Sequence, residues 1–293
     1  MAFRGWPTFH LHDRVMIDAP LPTAGSPSDR VRLVHAAVAP LHAEPRVSSA
    51  QTSQQLAWHP VEQLEAAPGD WWRVRGADGY EGWMHEGYLA NPTAVSAVDI
   101  GRWPALARRS FGGVVRGVAG DSRAVPLGAY LHPDEELEQG RAAFSDELGR
   151  ECPPRAESVT RFGIRHFRGT SYQWGGITPW GCDCSGFVQT VFSFHGLLLP
   201  RDAWQQAERG VDAGVTIGAA RAGDLLFFSD RDDGHVTHVG LALGGMRMAH
   251  VALGRGGFAI ERLDDGRDPY VAALVQRFRV ARRMLEEFTD PLP

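Results

Sequence analysis

Gly181-Cys182-Asp183-Cys184-Ser185-Gly186-Phe187 stands between a glycine-broken aromatic segment, Tyr172-Gln173-Trp174-Gly175-Gly176, and an apolar run that ends at Gly196. Phe187, Val188, Val191 and Phe192 recur at helical spacing, which predicts a helix starting beside Cys184 with Asp183 or Cys184 near its cap. Free backbone N–H groups and the positive end of the helix dipole stabilise a thiolate there, so Cys184 is a candidate nucleophile. A buried structural thiol fits the same stretch, because unpaired cysteine is among the most buried residue types. Working outward, Val159, Phe162, Ile164 and Phe167 predict a short helix over 157–167, and Asp202 is a good N-cap for another helix through Arg209, stopped by Gly210. Strand-like runs follow at 225–228, 236–243, 246–253, 258–263 and 271–282. Helices first and strands afterwards predict an α+β layer fold with an antiparallel sheet for residues 157–293.

The whole chain has 293 residues, long enough for two or three domains. Its 43% apolar and 22% charged residues suit a globular protein, and a net charge of −5 with no Lys/Arg block gives no support for a nucleic-acid partner. No stretch reads as a membrane span. Met1 to Pro20 carries Arg4, His10, His12, Asp13 and Arg14 among its apolar residues, unlike the core of a signal peptide, so a cytoplasmic location is expected. Three cysteines, two of them only two apart, make a poor disulfide framework and fit a reducing compartment. Residues 1–30 read as an extended arm; His10 and His12 lack the acidic or thiol neighbours that a metal site needs.

Residues 31–93 consist of short β-prone runs between turns: 31–34, 36–41, 61–65, then Trp71 to Val74 and Tyr80 to Met84 joined through Asp78-Gly79. Their order resembles a bacterial SH3-like domain, a small β-barrel. Runs at 112–118 and 124–131 allow a second, degenerate barrel over 94–156, with the acidic segment 133–138 and the polar stretch to Pro154 as surface connection. Cys152, beside Pro153-Pro154, reads as an uninvolved thiol.

A nucleophilic cysteine needs a base within hydrogen-bond reach and a third group to orient that base. Of His166, His195, His235, His238 and His250, the last two stand out, because each interrupts an apolar strand where a polar side chain needs a reason. They flank Gly244-Gly245, and strand parity constrains them. A two-residue Gly244-Gly245 loop puts them on opposite faces, whereas a three-residue loop from Leu243 to Gly245 sets His238 directly opposite His250. The odd loop, or a bulge restoring its parity, is expected.

Together these residues form a resemblance. Tyr172-x-Trp174-Gly175-Gly176, Asp183-Cys184-Ser185-Gly186-Phe187-Val188-Gln189, Leu199-Pro200-Arg201-Asp202-Ala203-x-x-Gln206, Gly223-Asp224-Leu225, His238-Val239-Gly240-Leu241 and Met248-Ala249-His250 are similar, in order, to the motifs of the NlpC/P60 cysteine peptidases. The resemblance implies a papain-like α+β catalytic domain, with Cys184 as nucleophile, His238 as general base, His250 as the orienting third member and Tyr172 near the oxyanion. It implies no cofactor and no metal.

With a preceding SH3-like domain, the chain resembles the branch of that family that hydrolyses the γ-D-glutamyl bond to a diamino acid in short murein peptides with a free N-terminal L-alanine. The resemblance then implies a murein tripeptide or tetrapeptide as partner, with Asp183 and Ser185 at the ammonium site, Tyr80 closing that pocket, and Arg201 and Asp202 framing it. Where the branch has an acidic SH3-domain residue, this chain has Trp58-His59-Pro60, so either Glu62 or another carboxylate substitutes or the preference for a free terminal amine is relaxed. Cys182 stands where an apolar residue is usual and fits packing or a resolving thiol. A non-catalytic binder of cell-wall peptides, and an acyltransferase or amidase on a related core, are the rival readings. Diaminopimelate and lysine substrates are not distinguished, nor is the oligomeric state.

Overall fold

The computed structural model describes residues 30–90, 103–117 and 120–285. The expected N-terminal arm with His10 and His12, and the boundary near residue 93, lie outside them. Six strands come first: β1 (Val31–Leu33), β2 (Val38–His42), β3 (Gln51–Leu56), β4 (Pro60–Ala67), β5 (Trp71–Arg75) and β6 (Glu81–His85). They form one antiparallel sheet in the order β1-β4-β5-β6-β2-β3, open between β1 and β3 rather than closed as a barrel. Between β4 and β5 the chain turns through Gly69 and Asp70, both at positive φ (76° and 59°), a conformation that Gly and Asp tolerate best. Inward-facing Leu41, Val61, Val74 and Met84 make a single small core with Val34 and Leu89.

A helical turn α1 (Trp103–Leu106) leads into β7 (Arg108–Arg116), β8 (Ser122–Leu131) and β9 (Glu136–Ala143), followed by α2 (Ser145–Glu151). The region expected as a second barrel is a three-stranded sheet in the order β8-β7-β9. Its third strand falls where the acidic 133–138 segment and polar run read as a connection; β9 is an edge strand with most side chains in solvent, so it has no apolar alternation to reveal it. Leu56 and Ala57 share a core with Val125, Ala129, Leu131 and Ile177, which locks this small sheet between the first sheet and the last domain.

The last domain contains α3 (Ala156–Phe167), β10 (Ile177–Thr178), β11 (Gly181–Cys182), α4 (Cys184–Phe194), α5 (Ala203–Gln206), β12 (Val211–Gly214), β13 (Leu225–Phe228), β14 (His238–Gly244), β15 (Arg247–Ala252), β16 (Gly257–Arg262), α6 (Pro269–Gln276) and β17 (Phe278–Arg283). Its sheet runs β12-β17-β13-β14-β15-β16. Alternate residues serve opposite layers: Leu225, Phe227, Val239, Leu241, Ala249 and Val251 pack with α4, while Leu226, Phe228, Ala242 and Met248 pack with Leu274 of α6. Every residue of α4 is buried. The run 271–282, expected as one strand, divides into α6 and β17: the Asp268 side chain accepts the Tyr270 N–H, and Pro269 occupies the first turn. The helix expected from Asp202 to Arg209 is four residues long, α5, and passes through turns to Gly210 at φ 73°.

Candidate active site

Cys184 is the first residue of α4, and Asp183 is its N-cap, accepting the Gly186 N–H at 2.8 Å. The chain before it packs so closely that a Cβ on Gly186 would lie 2.2 Å from the Gly176 carbonyl oxygen, so glycine is required there. Cys184 is 9% exposed. Burial, and next the neighbouring Asp183 charge, push its thiol up to about 12, against the opposing influence of the Val239 and Ser185 backbone amides. The helix start therefore does not yield the thiolate that its position alone suggests; desolvation outweighs it.

His238 and His250 lie on one face of the sheet, with His238 Nε2 2.8 Å from His250 Nδ1 and the rings nearly perpendicular at 74°. Of the two expected ways to bring them to one face, the chain uses the bulge rather than the three-residue loop. Gly244 pairs with Arg247 across Gly245-Met246, and a bulge between Ala242 and Gly244 restores even parity, giving Leu241 opposite Ala249. That register makes the histidines diagonal neighbours rather than directly opposite. Burial, followed by the adjacent His250, drives the His238 imidazole down to about 3. Cys184 and His238 line one cleft as thiol and neutral imidazole.

The cleft has a volume of 740 Å³ and is lined by Cys184, His238, Tyr172, Asp183, Ser185, Arg201 and Asp202, with Thr52 and Tyr80 supplied by the first sheet. Tyr172 lines the cleft with the nucleophile, and burial, then Cys184, push its hydroxyl up to about 12. Asp183, however, is not free to face a substrate ammonium. Its Oδ1 accepts from the Gly186 N–H, Ser185 Oγ and Arg201 Nη1, and its Oδ2 accepts from the Gly175 N–H and Arg201 Nη2 at 2.6 Å. Ser185 is engaged by both Asp183 and Arg201. Arg201, 2% exposed, also donates from Nε to Ser53 of β3 and stays protonated: burial opposes its charge, but Asp183 outweighs burial. These three side chains are an internal brace beneath the cleft. Asp202, partly exposed at the cleft wall, is a lining carboxylate outside this brace, as is Asp230; burial first and Asp183 next raise the Asp202 pKa, while Arg201 opposes them.

His59 is not at the cleft. Its Nε2 lies 3.0 Å from the Gly128 carbonyl oxygen of β8, and burial drives it down to about 4. Glu62 pairs with Arg75 on the outside of the first sheet. On the SH3 side the cleft is lined by Thr52 and Tyr80. Cys182 is fully buried, and its thiol donates to the Asp183 carbonyl, which makes it a packing residue. Among the described residues, no group of three or more His, Cys, Asp or Glu is placed to hold a metal.

Sequence reasoning missed Trp174, Trp204, Tyr270 and Thr52 as cleft residues, and it missed Glu261, which lies behind His250. Glu261 carried a signal of its own: an acidic residue inside the strand-like run 258–263 raises the same question that singled out the histidines.

Comparison with known proteins places these features. Residues 37–90 match the bacterial SH3 domain, and residues 169–273 match the NlpC/P60 family. A γ-D-glutamyl-L-lysine dipeptidyl-peptidase of Bacillus subtilis (strain 168) is 45% identical over 96 residues, 32% of this chain. A protein of the same name from Bacillus cereus is 38% identical over 98 residues, 33% of this chain; the chain spans 31% and 28% of the lengths of these two relatives. Dipeptidyl-peptidase 6 of Lysinibacillus sphaericus is 26% identical over 267 residues, covering 80% of this chain and 92% of that one. The crystal structure of an NlpC/P60 family protein from Bacillus cereus superposes with a TM-score of 0.71 at 20% identity, over 87% of this chain and all of that one, so the fold is shared. Residues 169–273 are thus an NlpC/P60 domain, with a bacterial SH3 domain at residues 37–90 ahead of it.

Proposed function

We propose that the chain is a cysteine peptidase that hydrolyses the γ-D-glutamyl–diamino acid bond of murein peptides with a free N-terminal L-alanine, serving the turnover of cell-wall tripeptides and tetrapeptides in the cytoplasm. One observation carries this reading: Cys184 at a helix start and the hydrogen-bonded His238–His250 pair open onto one cleft whose other wall is Thr52 and Tyr80 of the first sheet. A cleft walled in this way accommodates a short peptide end rather than a continuous strand. The reading divides the chain into an SH3-like domain over 31–93, a small-sheet unit over 94–156 and a catalytic domain over 157–293.

In the cycle, His238 takes the proton of Cys184 as the sulfur attacks the γ-glutamyl carbonyl. The tetrahedral oxyanion is stabilised by backbone N–H groups at the helix start and by the Tyr172 hydroxyl. His238 then protonates the departing amine of the diamino acid, and water, deprotonated by the same imidazole, hydrolyses the thioester to release the dipeptide. Because Asp183 is consumed by Arg201, the substrate ammonium falls to Asp202, with Tyr80 beside it. An ammonium against a half-buried carboxylate favours its ionised form, and an N-blocked peptide leaves that carboxylate unpaired.

The test is incubation with L-Ala-γ-D-Glu-diaminopimelate, its lysine counterpart and their N-acetylated forms, followed by product analysis. The free peptides should yield L-Ala-D-Glu, the N-acetylated forms should turn over at least about 100-fold more slowly, and Asp202→Asn should narrow that ratio. Turnover by Cys184→Ser equal to that of the parent would refute the nucleophile.

A further inference from the structure

His250 makes hydrogen bonds at both ring nitrogens. Its Nδ1 faces His238 Nε2 at 2.8 Å, and its Nε2 lies 3.3 Å from Glu261 Oε1. The His250 ring is fully buried, and Glu261 is 6% exposed. The three residues step diagonally across neighbouring strands: His238 on β14, His250 on β15 and Glu261 on β16, which stands opposite Met248. Arg255 holds the carboxylate from the far side, donating from Nε to Oε1 at 2.7 Å and from Nη2 to Oε2 at 3.0 Å, and is itself paired with Asp268. Tyr270 completes the surroundings, with its ring centroid 6.2 Å from that of His250 and the Arg255 guanidinium 4.3 Å over its face.

An ionised carboxylate has no proton to give and can only accept. With Glu261 in place, His250 Nε2 must carry the hydrogen. Neutral His250 then presents a bare Nδ1, so His238 must donate from Nε2, which leaves His238 Nδ1 as the unprotonated nitrogen. That nitrogen is the one available to receive the Cys184 proton.

We propose that Glu261, clamped by Arg255, is a positioning residue that sets the tautomers of both histidines and thereby makes His238 Nδ1 the general base. The proposal rests on the peptidase reading above for its kinetic consequence, but the tautomers themselves are a property of the resting protein. Glu261 touches neither substrate nor sulfur. Its effect passes through two imidazoles, as an acceptor-only partner beyond the orienting histidine. Hydrogen bonding to His250 is the leading cause that holds the Glu261 carboxyl below its ordinary range, ahead of the opposing effect of burial, consistent with an acceptor-only group.

The deciding measurement is long-range proton–nitrogen NMR on ¹⁵N-histidine-labelled full chain without substrate. Protons on Nε2 of both His238 and His250 support the proposal. A proton on His250 Nδ1, in either the other tautomer or the imidazolium, overturns it whether or not the protein turns over any peptide. If the tautomers are as stated and the parent protein hydrolyses none of the murein peptides, the peptidase reading fails and the assignment stands. For the kinetic arm, Glu261→Gln should lower kcat by about 100-fold or more with KM within about 2-fold, since a wrong tautomer in a triad costs up to about 10⁴-fold. Asp268→Asn, which disturbs the outer ion pair but leaves Glu261 on His250, should keep kcat within about 3-fold, a far smaller effect than the tautomer error. A folded Glu261→Gln protein with parental kcat, or equal losses in the two variants, overturns the positioning role.

Discussion

At the scale of single residues, Cys184, His238 and His250 were legible because each is chemically out of place in its run: a thiol at a helix start, and imidazoles in apolar strands. Asp183 misled for an equally definite reason. Its neighbours in sequence reveal a cap, but the residue that consumes its charge, Arg201, lies eighteen positions away and reaches it only through the fold. The protonation state of the nucleophile was also beyond the sequence, because desolvation depends on what closes over the sulfur. With the Cys184 thiol at about 12 and the His238 imidazole at about 3, both are neutral at pH 7. Alkylation of Cys184 by iodoacetamide, followed by mass spectrometry at that residue, should therefore rise about tenfold per pH unit from 7 to 10, without a plateau, as the thiolate fraction grows. A rate that levels off below pH 7 would show a preformed thiolate and remove the need for His238 to act as base.

Among the elements, those with clear periodicity were placed well: α4 starts at Cys184, and β13 spans the Leu225 to Phe228 run. The others failed where a local signal competed with the pattern. In 271–282 the apolar residues suit either state, and the Asp268-Pro269 start decides for helix in the first half. In the β14–β15 hairpin, parity was the correct constraint, but glycines left two ways to satisfy it, and the chain uses a bulge. The brace under the cleft joins elements more firmly than either pattern shows. Arg201, just before α5, ties the cap of α4 to Ser53 on β3. Removing its charge strands Asp183 in the interior, so Arg201→Met should cost about 3–5 kcal/mol of folding stability. Urea unfolding followed by tryptophan fluorescence measures this. A loss below about 1 kcal/mol, the range of an exposed ion pair, would mean that water reaches the brace.

Over the whole molecule, the two six-stranded sheets and the three-stranded sheet act as one support for the cleft. Gln51 donates to the Trp174 carbonyl, Gln54 accepts the Ile177 N–H and Gln189 of α4 donates to Asp78, so the first sheet is fastened to the loops that carry the nucleophile. None of these contacts is visible in sequence, because polar residues on β3 look like a solvent face until another unit covers them. His59 belongs to the same joint, meeting the Gly128 carbonyl oxygen of β8. Burial, partly offset by that carbonyl and reinforced by the Arg109 charge, lowers its imidazole from 6.5 to about 4. The unfolded chain then binds a proton that the folded chain refuses. Stability from this residue is fully present above pH 6.5 and is lost as the pH falls through 4, at up to about 1.4 kcal/mol per pH unit and about 3 kcal/mol in all. His59→Gln keeps a donor for the Gly128 carbonyl oxygen but cannot titrate, so its denaturant midpoint should fall less than that of the parent between pH 6.5 and 4. Parallel midpoint curves for the two proteins would show that His59 is protonated in the folded state and that the joint between the sheets admits solvent.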